Sequence, residues 1–169
     1  MNVILDMVIS PNGMIAREDG REDWLPHEGW EDMLAQVAKY DNIVVGRETY
    51  EVIMREYVDG NFDDVSARAK VIVTRNKAYK TPEGYYVAHS PEEAVEVVRT
   101  AGLNTVYLIG GGKLNGSFAA AGLITDLHVT IQPYVIGRGR PIFADADFDM
   151  QLMLVDSRIV SLCRVVNRY

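Results

Sequence analysis

The sequence predicts an α/β fold in which a mostly parallel central sheet carries helices on both faces and ends in antiparallel strands. Three observations predict it. Apolar, β-branched runs recur through the first two thirds of the chain, and such runs bounded by turn residues read as buried strands. Segments of helical period lie between them, and strands alternating with helices pair in parallel because each crossover returns the chain to the same end of the sheet. The last third has strand-like segments with no helical segment between them, which suits antiparallel pairing.

In chain order, VILDMVI (3–9) opens the sheet. Residues 27–39 place Trp30, Met33, Leu34 and Val37 on one helical face. NIVVG (42–46) is the next strand, and Gly46-Arg47-Glu48-Thr49-Tyr50-Glu51 turns from it into a helix start. KVIVT (70–74) and YYVAH (85–89) follow as strands. Ser90-Pro91-Glu92-Glu93 then opens a helix over 91–101, with a capping serine and proline at the first helical position. TVYLIG (105–110) is a strand, and 113–121 a helix carrying Leu114, Phe118 and Ala121. LITDLHVTIQ (123–132), LMLVDSRIV (152–160) and LCRVVNRY (162–169) read as the antiparallel finish. Alternation in the first of these puts Leu127, Val129 and Ile131 on one face and His128, Thr130 and Gln132 on the other.

A chain of 169 residues suits one domain, 1–169, with a full core. Apolar residues make up 48% and charged residues 24%, so a soluble class is expected. No stretch nears the roughly eighteen apolar residues of a membrane span, and MNVILDMVIS lacks the basic start and cleavage site of a signal peptide. One cysteine, Cys163, cannot form an internal disulfide; a cytoplasmic location is expected. The net charge of −7 argues against a general nucleic-acid binder, which needs a basic face to displace counterions. His27, His89 and His128 show no metal-ligand spacing and Cys163 has no nearby partner, so neither a metalloenzyme nor a thiol hydrolase is expected and no metal is assigned.

An anion would therefore be held by a few local groups, and YLIGGGKLNG (107–116) is one place to look. A phosphate loop of the form GxxxxGK[ST] is excluded because Leu114 follows Lys113. The dinucleotide fingerprint GxGxxG fails because Gly110, Gly112 and Gly116 leave one residue too many. Alone, the triplet reads as a turn or as an anion site at a helix start. Two other strand ends carry matching groups: Gly46, Arg47 and Thr49 after NIVV, and Thr74, Arg75 and Asn76 after KVIV. Together the three ends point to a ligand with more than one phosphate. Asp6 interrupts an apolar strand, where a charge is costly unless paired; it reads either as a surface-facing position or as an inward carboxylate for amino groups.

The ordered set SPNGMIA (10–16), VGRETYE (45–51), VTRN (73–76), YLIGGG (107–112), DLHVTI (126–131) and GRGRPIFAD (137–145) resembles the dihydrofolate reductase superfamily. It is most similar to the branch holding the C-terminal reductase domain of the bifunctional riboflavin-biosynthesis deaminase/reductase. The resemblance implies a three-layer dihydrofolate reductase-like fold with NADPH across the carboxyl ends of the central strands. It assigns Gly46, Arg47 and Thr49 to the cofactor phosphates, and Thr74, Arg75 and Asn76 with Arg47 to the 2′-phosphate. Gly110, Gly111 and Gly112 would let the cofactor reach the backbone, with Lys113 and Leu114 opening the helix behind them. Ile15 and Ala16 match the stretch that touches the nicotinamide carboxamide.

On the substrate side, Asp23-Trp24-Leu25-Pro26-His27-Glu28 resembles the family segment that ends in the catalytic acid. Glu28 falls at the acid's position and is expected to be partly buried with a raised pKa. Asp32, one turn on, and Asp6 are rivals. Thr130 matches the threonine that bonds the acid and the substrate, and Asp6, Val8, Trp24 and Ile109 are the expected substrate contacts. The chain departs from riboflavin-pathway reductases at Asn12-Gly13 and at Ile53–Tyr57, and from dihydrofolate reductases at Asn115. The implied activity is NADPH-dependent hydride transfer to a pyrimidine or pterin, like that of 5-amino-6-(5-phosphoribosylamino)uracil reductase in riboflavin biosynthesis. Dihydrofolate reduction for tetrahydrofolate biosynthesis is the alternative, and a non-catalytic NADPH-binding module is a reading of another class. The expected partner is a small heterocyclic substrate, with no nucleic acid or membrane; relatives in this branch also imply a homodimer.

Overall fold

The computed structural model describes residues 1–26, 28–57, 61–161 and 164–169; His27 and Cys163 lie outside the described residues. In chain order the elements are β1 (Asn2–Ile9), β2 (Met14–Arg17), α1 (Glu28–Tyr40), β3 (Asn42–Gly46), α2 (Arg47–Glu56), β4 (Ala69–Val73) and β5 (Tyr86–Ala88). They continue with α3 (Pro91–Thr100), β6 (Thr105–Leu108), α4 (Gly112–Ala120), β7 (Asp126–Ile131), β8 (Gly139–Pro141), β9 (Asp156–Ser161) and β10 (Arg164–Arg168). Eight strands form one sheet in the order β5-β4-β3-β6-β1-β7-β10-β9, and β2 pairs with β8 in a separate ribbon.

The parallel part extends from β5 to β7, and only β10 and β9 are antiparallel. The segment 123–132 was expected among the antiparallel strands, yet β7 runs parallel to β1. The reason is α4, which carries the chain from β6 past β1 and returns it in the same direction. The β2–β8 ribbon has strands of four and three residues, too short to leave a period in the sequence.

Two apolar layers cover the sheet. On one face Val37 of α1 and Tyr50 and Ile53 of α2 pack on Ile43, Val45, Ile72 and Tyr107. On the other, Ala94 and Val98 of α3 and Leu114 and Phe118 of α4 pack on Val3, Leu5, Val44 and Val71. Alternate residues of each strand serve opposite layers, as a pleated strand covered on both sides requires. Each fully buried aliphatic side chain contributes about 1.5–3 kcal/mol.

Asn42 is a polar exception in this core, and it is fully satisfied. Its Nδ2 donates to Tyr40 O at 2.7 Å and Thr105 O at 2.8 Å, while its Oδ1 accepts from Tyr107 N at 2.9 Å. It thereby fastens the end of α1 to β3 and β6. The expected cap of α3 is also present: Ser90 Oγ accepts from Glu93 N at 3.2 Å, with proline in the first turn.

The connections locate the crevice. From β3 the chain moves through α2 to β4 on one side, and from β6 it moves through α4 past β1 on the other. These helices cover opposite faces, so the carboxyl ends of β3 and β6 flank a topological switch point, where open α/β sheets bind ligands.

Candidate functional site

The helices α2 and α4 start side by side at that switch point. Gly46 N donates to Gly110 O at 2.7 Å, tying the two turns together. The caps Gly46 and Gly111 make no side-chain hydrogen bond to their helices, unlike Ser90 on α3. First-turn N–H groups have no intrahelical partner and carry the positive end of the helix dipole. Two uncapped starts at one point suit a ligand with several negative charges.

Each glycine of the triplet has its own reason. Gly110 has φ +92° and lies against Met7, a backbone region that favours glycine. A Cβ on Gly111 would lie 2.7 Å from Thr49 Oγ1 and 3.8 Å from Ile15 Cδ1. Gly112 is buried, and the Pro141 carbonyl occupies the place of its side chain; the Ala144 carbonyl does the same at Gly116. The triplet is therefore partly a seat for the 141–144 segment. For Gly112 the cofactor expectation narrows to its N–H. It narrows likewise for Leu114, whose side chain belongs to the core beside Val44.

Two of the basic groups expected around a phosphate have partners. Arg47 pairs with Glu51 at 2.8 Å, and Lys113 with Glu48 at 3.3 Å. Thr74 is buried, its Oγ1 accepting from Asn76 N at 3.2 Å and its carbonyl 2.8 Å from His89 Nδ1. Asn76 Oδ1 accepts from Ala78 N at 3.0 Å, so both side chains shape the loop. Arg75 is exposed at its tip. Ala16 is buried in β2, while Ile15 of the same strand reaches the cleft.

That cleft, of about 870 Å³, opens between α1 and the sheet. Asp6 lies in it, on a strand that is interior to the sheet, so the reading of a surface-facing position gives way to an inward one. Tyr107 Oη donates to Asp6 Oδ2 at 3.0 Å, and the Tyr107 ring stacks on Tyr40 with centroids 5.5 Å apart. Burial pushes the Asp6 carboxyl up to about 6; the Tyr107 hydrogen bond opposes this, and the charge of Asp32 adds to it. Val8, Ile109, Thr49 and Thr130 line the same space, as do Asp32 and Glu28 from α1.

Two expectations are altered. Glu28 is exposed at the first position of α1 instead of partly buried, because a helix start at the cleft rim stays in contact with water. Trp24 does not line the cleft; it is buried against Tyr134, ring centroids 6.1 Å apart. Neither Tyr107 nor Glu22 was anticipated. Glu22 lines the cleft, and burial pushes its carboxyl up to about 7. Tyr107 sits in an apolar run and reads as core; Glu22 sits in a loop whose burial no periodicity reveals.

Comparison with known proteins follows the same geometry. A model of the RibD C-terminal domain family matches residues 1–166. The uncharacterized protein YyaP of Bacillus subtilis is similar at 26% identity over 171 residues, covering 94% of this chain and 89% of the relative. Among solved structures, a Shewanella sp. PV-4 protein assigned to riboflavin biosynthesis superposes with TM-score 0.79 at 20% identity, covering 100% of this chain and 98% of that one. The diaminohydroxyphosphoribosylaminopyrimidine deaminase/5-amino-6-(5-phosphoribosylamino)uracil reductase of Thermotoga maritima superposes with TM-score 0.74 at 14% identity. That alignment covers 99% of this chain and 55% of the longer protein.

Proposed function

The chain belongs to the RibD C-terminal domain family, and from that membership we propose that it is an NADPH-dependent reductase acting on a pyrimidine- or pterin-type heterocycle. Its mixed sheet with antiparallel final strands is the dihydrofolate reductase-like fold of that family. A ring resembling 5-amino-6-(5-phosphoribosylamino)uracil is the first candidate substrate, and dihydrofolate the second. The observation that carries the reading is the pair of uncapped helix starts at Gly46 and Gly111, set beside an 870 Å³ cleft with a carboxylate on its floor.

The residues fit a dinucleotide phosphate. The absent side chain of Gly111 lets the Thr49 hydroxyl, itself part of the cleft lining, sit directly against the turn. The first-turn N–H groups of α2 and α4 would hold the pyrophosphate, with Arg47 and Arg75 at the 2′-phosphate. To take that role, Arg47 would share its guanidinium between Glu51 and the ligand. NADPH, when bound, supplies hydride from C4 of its nicotinamide. Reduction of a C=N bond also requires a proton at nitrogen. Asp6, held by Tyr107 and with a pKa near 6, combines a carboxylate for ring N–H donors with ready proton exchange. Thr130, in the same cleft, offers a hydroxyl to the same ring edge.

The test is NADPH fluorescence titration followed by steady-state NADPH oxidation with dihydrofolate and the ribosylaminopyrimidine phosphate side by side. Binding with turnover of one substrate is expected. Binding without turnover of any pterin or pyrimidine would favour the non-catalytic module, and a failure to bind NADPH would remove both readings.

A further inference from the structure

One end of the cleft is cationic. His128 of β7 stands opposite Asp6 of β1 in the parallel register, and Arg168 of β10 stands opposite His128 in the antiparallel one. Residues paired across strands project from the same face, so these three form one transverse row that Asp156 of β9, opposite Arg168, completes. Arg158 of β9 belongs to the adjoining row, opposite Val166, which pairs with Thr130. Lys39, in the last turn of α1, lines the same end.

Other basic residues, Arg75, Arg138 and Arg140 among them, also form no ion pair among the described residues, but the charges at this end of the cleft stand together. At a net charge of −7, Arg17, Arg47, Arg68 and Arg99 each have a carboxylate partner. Lys39, Arg158 and Arg168 form no ion pair among the described residues. Arg168 Nε donates to His128 Nε2 at 3.2 Å, an acceptor role open only to neutral imidazole. Lys39 Nζ donates to Tyr40 Oη at 3.0 Å, which leaves its charge uncompensated. Burial, then Arg168 and Lys39, push the His128 pKa down, with Asp126 opposing them; an anion arriving beside these cations would be favoured.

We propose that Lys39, His128, Arg158 and Arg168 form an anion-binding subsite that receives a carboxylate or phosphate on an arm of the substrate. This rests on the heterocycle reading of the cleft. With the ring at Asp6, two strand spacings, roughly 10 Å, separate it from Arg168. The subsite is distinct from the cofactor end, because β1 and β7 stand between β10 and β6. The substrate class is therefore a heterocycle with hydrogen-bond donors at one edge and an acidic group several bonds away.

The test follows the ring-proton NMR signal of His128, identified by its loss in His128→Gln, while pH is varied with inorganic phosphate or with glutarate. Chloride at equal ionic strength is the control. Groups facing His128 or its row are Arg168 on β10, Arg158 and Asp156 on β9, Lys39 on α1, Asp126 on β7 and Asp6 on β1. A bound anion opposes the cations, so the His128 pKa should rise by about half a unit or more, while His89 stays in place. Arg168→Gln and Arg158→Gln, both at exposed positions, should each weaken the anion's effect at least about tenfold. A stronger response to phosphate identifies a phosphate arm, and a stronger response to glutarate a carboxylate arm. A His128 signal that ignores both anions, or a shift that survives in both variants, overturns the proposal. NADPH titration of the same samples separates the two readings: loss of NADPH binding removes the reductase, whereas loss of the anion response removes only the subsite.

Discussion

Asp6 occupies the middle of a strand bounded by other strands, where an ionised carboxyl has given up much of its water. With its pKa raised from 3.8 to about 6, the native state holds this proton more tightly than the unfolded chain does. The cost to the fold is therefore absent below about pH 4, grows between 4 and 6, and is full above 6. Asp6→Asn should raise thermal stability at pH 8, by about 1–3 kcal/mol, and leave it nearly unchanged at pH 4. The same variant should lower turnover far more than NADPH affinity; wild-type turnover would remove Asp6 from the chemistry. Tyr107→Phe deletes the hydrogen bond that lowers this pKa, so the acidic limb of a pH–rate profile should move upward. Glu28→Gln, at an exposed rim position, should affect turnover less than Asp6→Asn. Asp6 was legible in the sequence as a charge among aliphatic residues. Its partner was not, since a tyrosine in such a run packs as well as it donates.

The glycines of α4 show what an element adds to a motif. Gly110, Gly112 and Gly116 miss the dinucleotide fingerprint by one residue, and that extra residue sets Gly112 and Gly116 one helical turn apart on one face. The Pro141 and Ala144 carbonyls sit against that face, and Ala144 N donates to Gly112 O at 3.0 Å. A methyl group at either glycine meets backbone, which cannot swing aside. Gly112→Ala or Gly116→Ala should therefore destabilise the protein by about 1–3 kcal/mol or more in denaturant titrations. Gly111→Ala meets a threonine hydroxyl instead, so it should weaken NADPH binding more than it weakens the fold. The equality of strand ends seen in the sequence also breaks down at this scale. Two helix starts are uncapped and adjacent, whereas the Thr74 loop is held by its own side chains.

At the scale of the whole molecule, the edge strand β9 and the segment before it leave Met153 and Ile159 each 78% exposed and Val155 65% exposed. An open strand edge beside apolar side chains invites pairing with another chain. The expected state in solution is a homodimer joined along this edge. Light scattering should report twice the monomer mass, and Ile159→Lys should return a monomer without altering NADPH affinity. By itself the sequence determined the parallel strands other than β7, the helices between them and the residues at three strand ends. It did so because side-chain period and capping are local properties that a short stretch of chain carries. Tertiary structure decided which strand neighbours which, and hence that Asp6 meets Tyr107, that Glu28 stays in water, and that Arg168 faces His128. Those outcomes depend on pairings between segments about forty to a hundred residues apart, and desolvation, the force that sets their charges, acts only once the pairings are made.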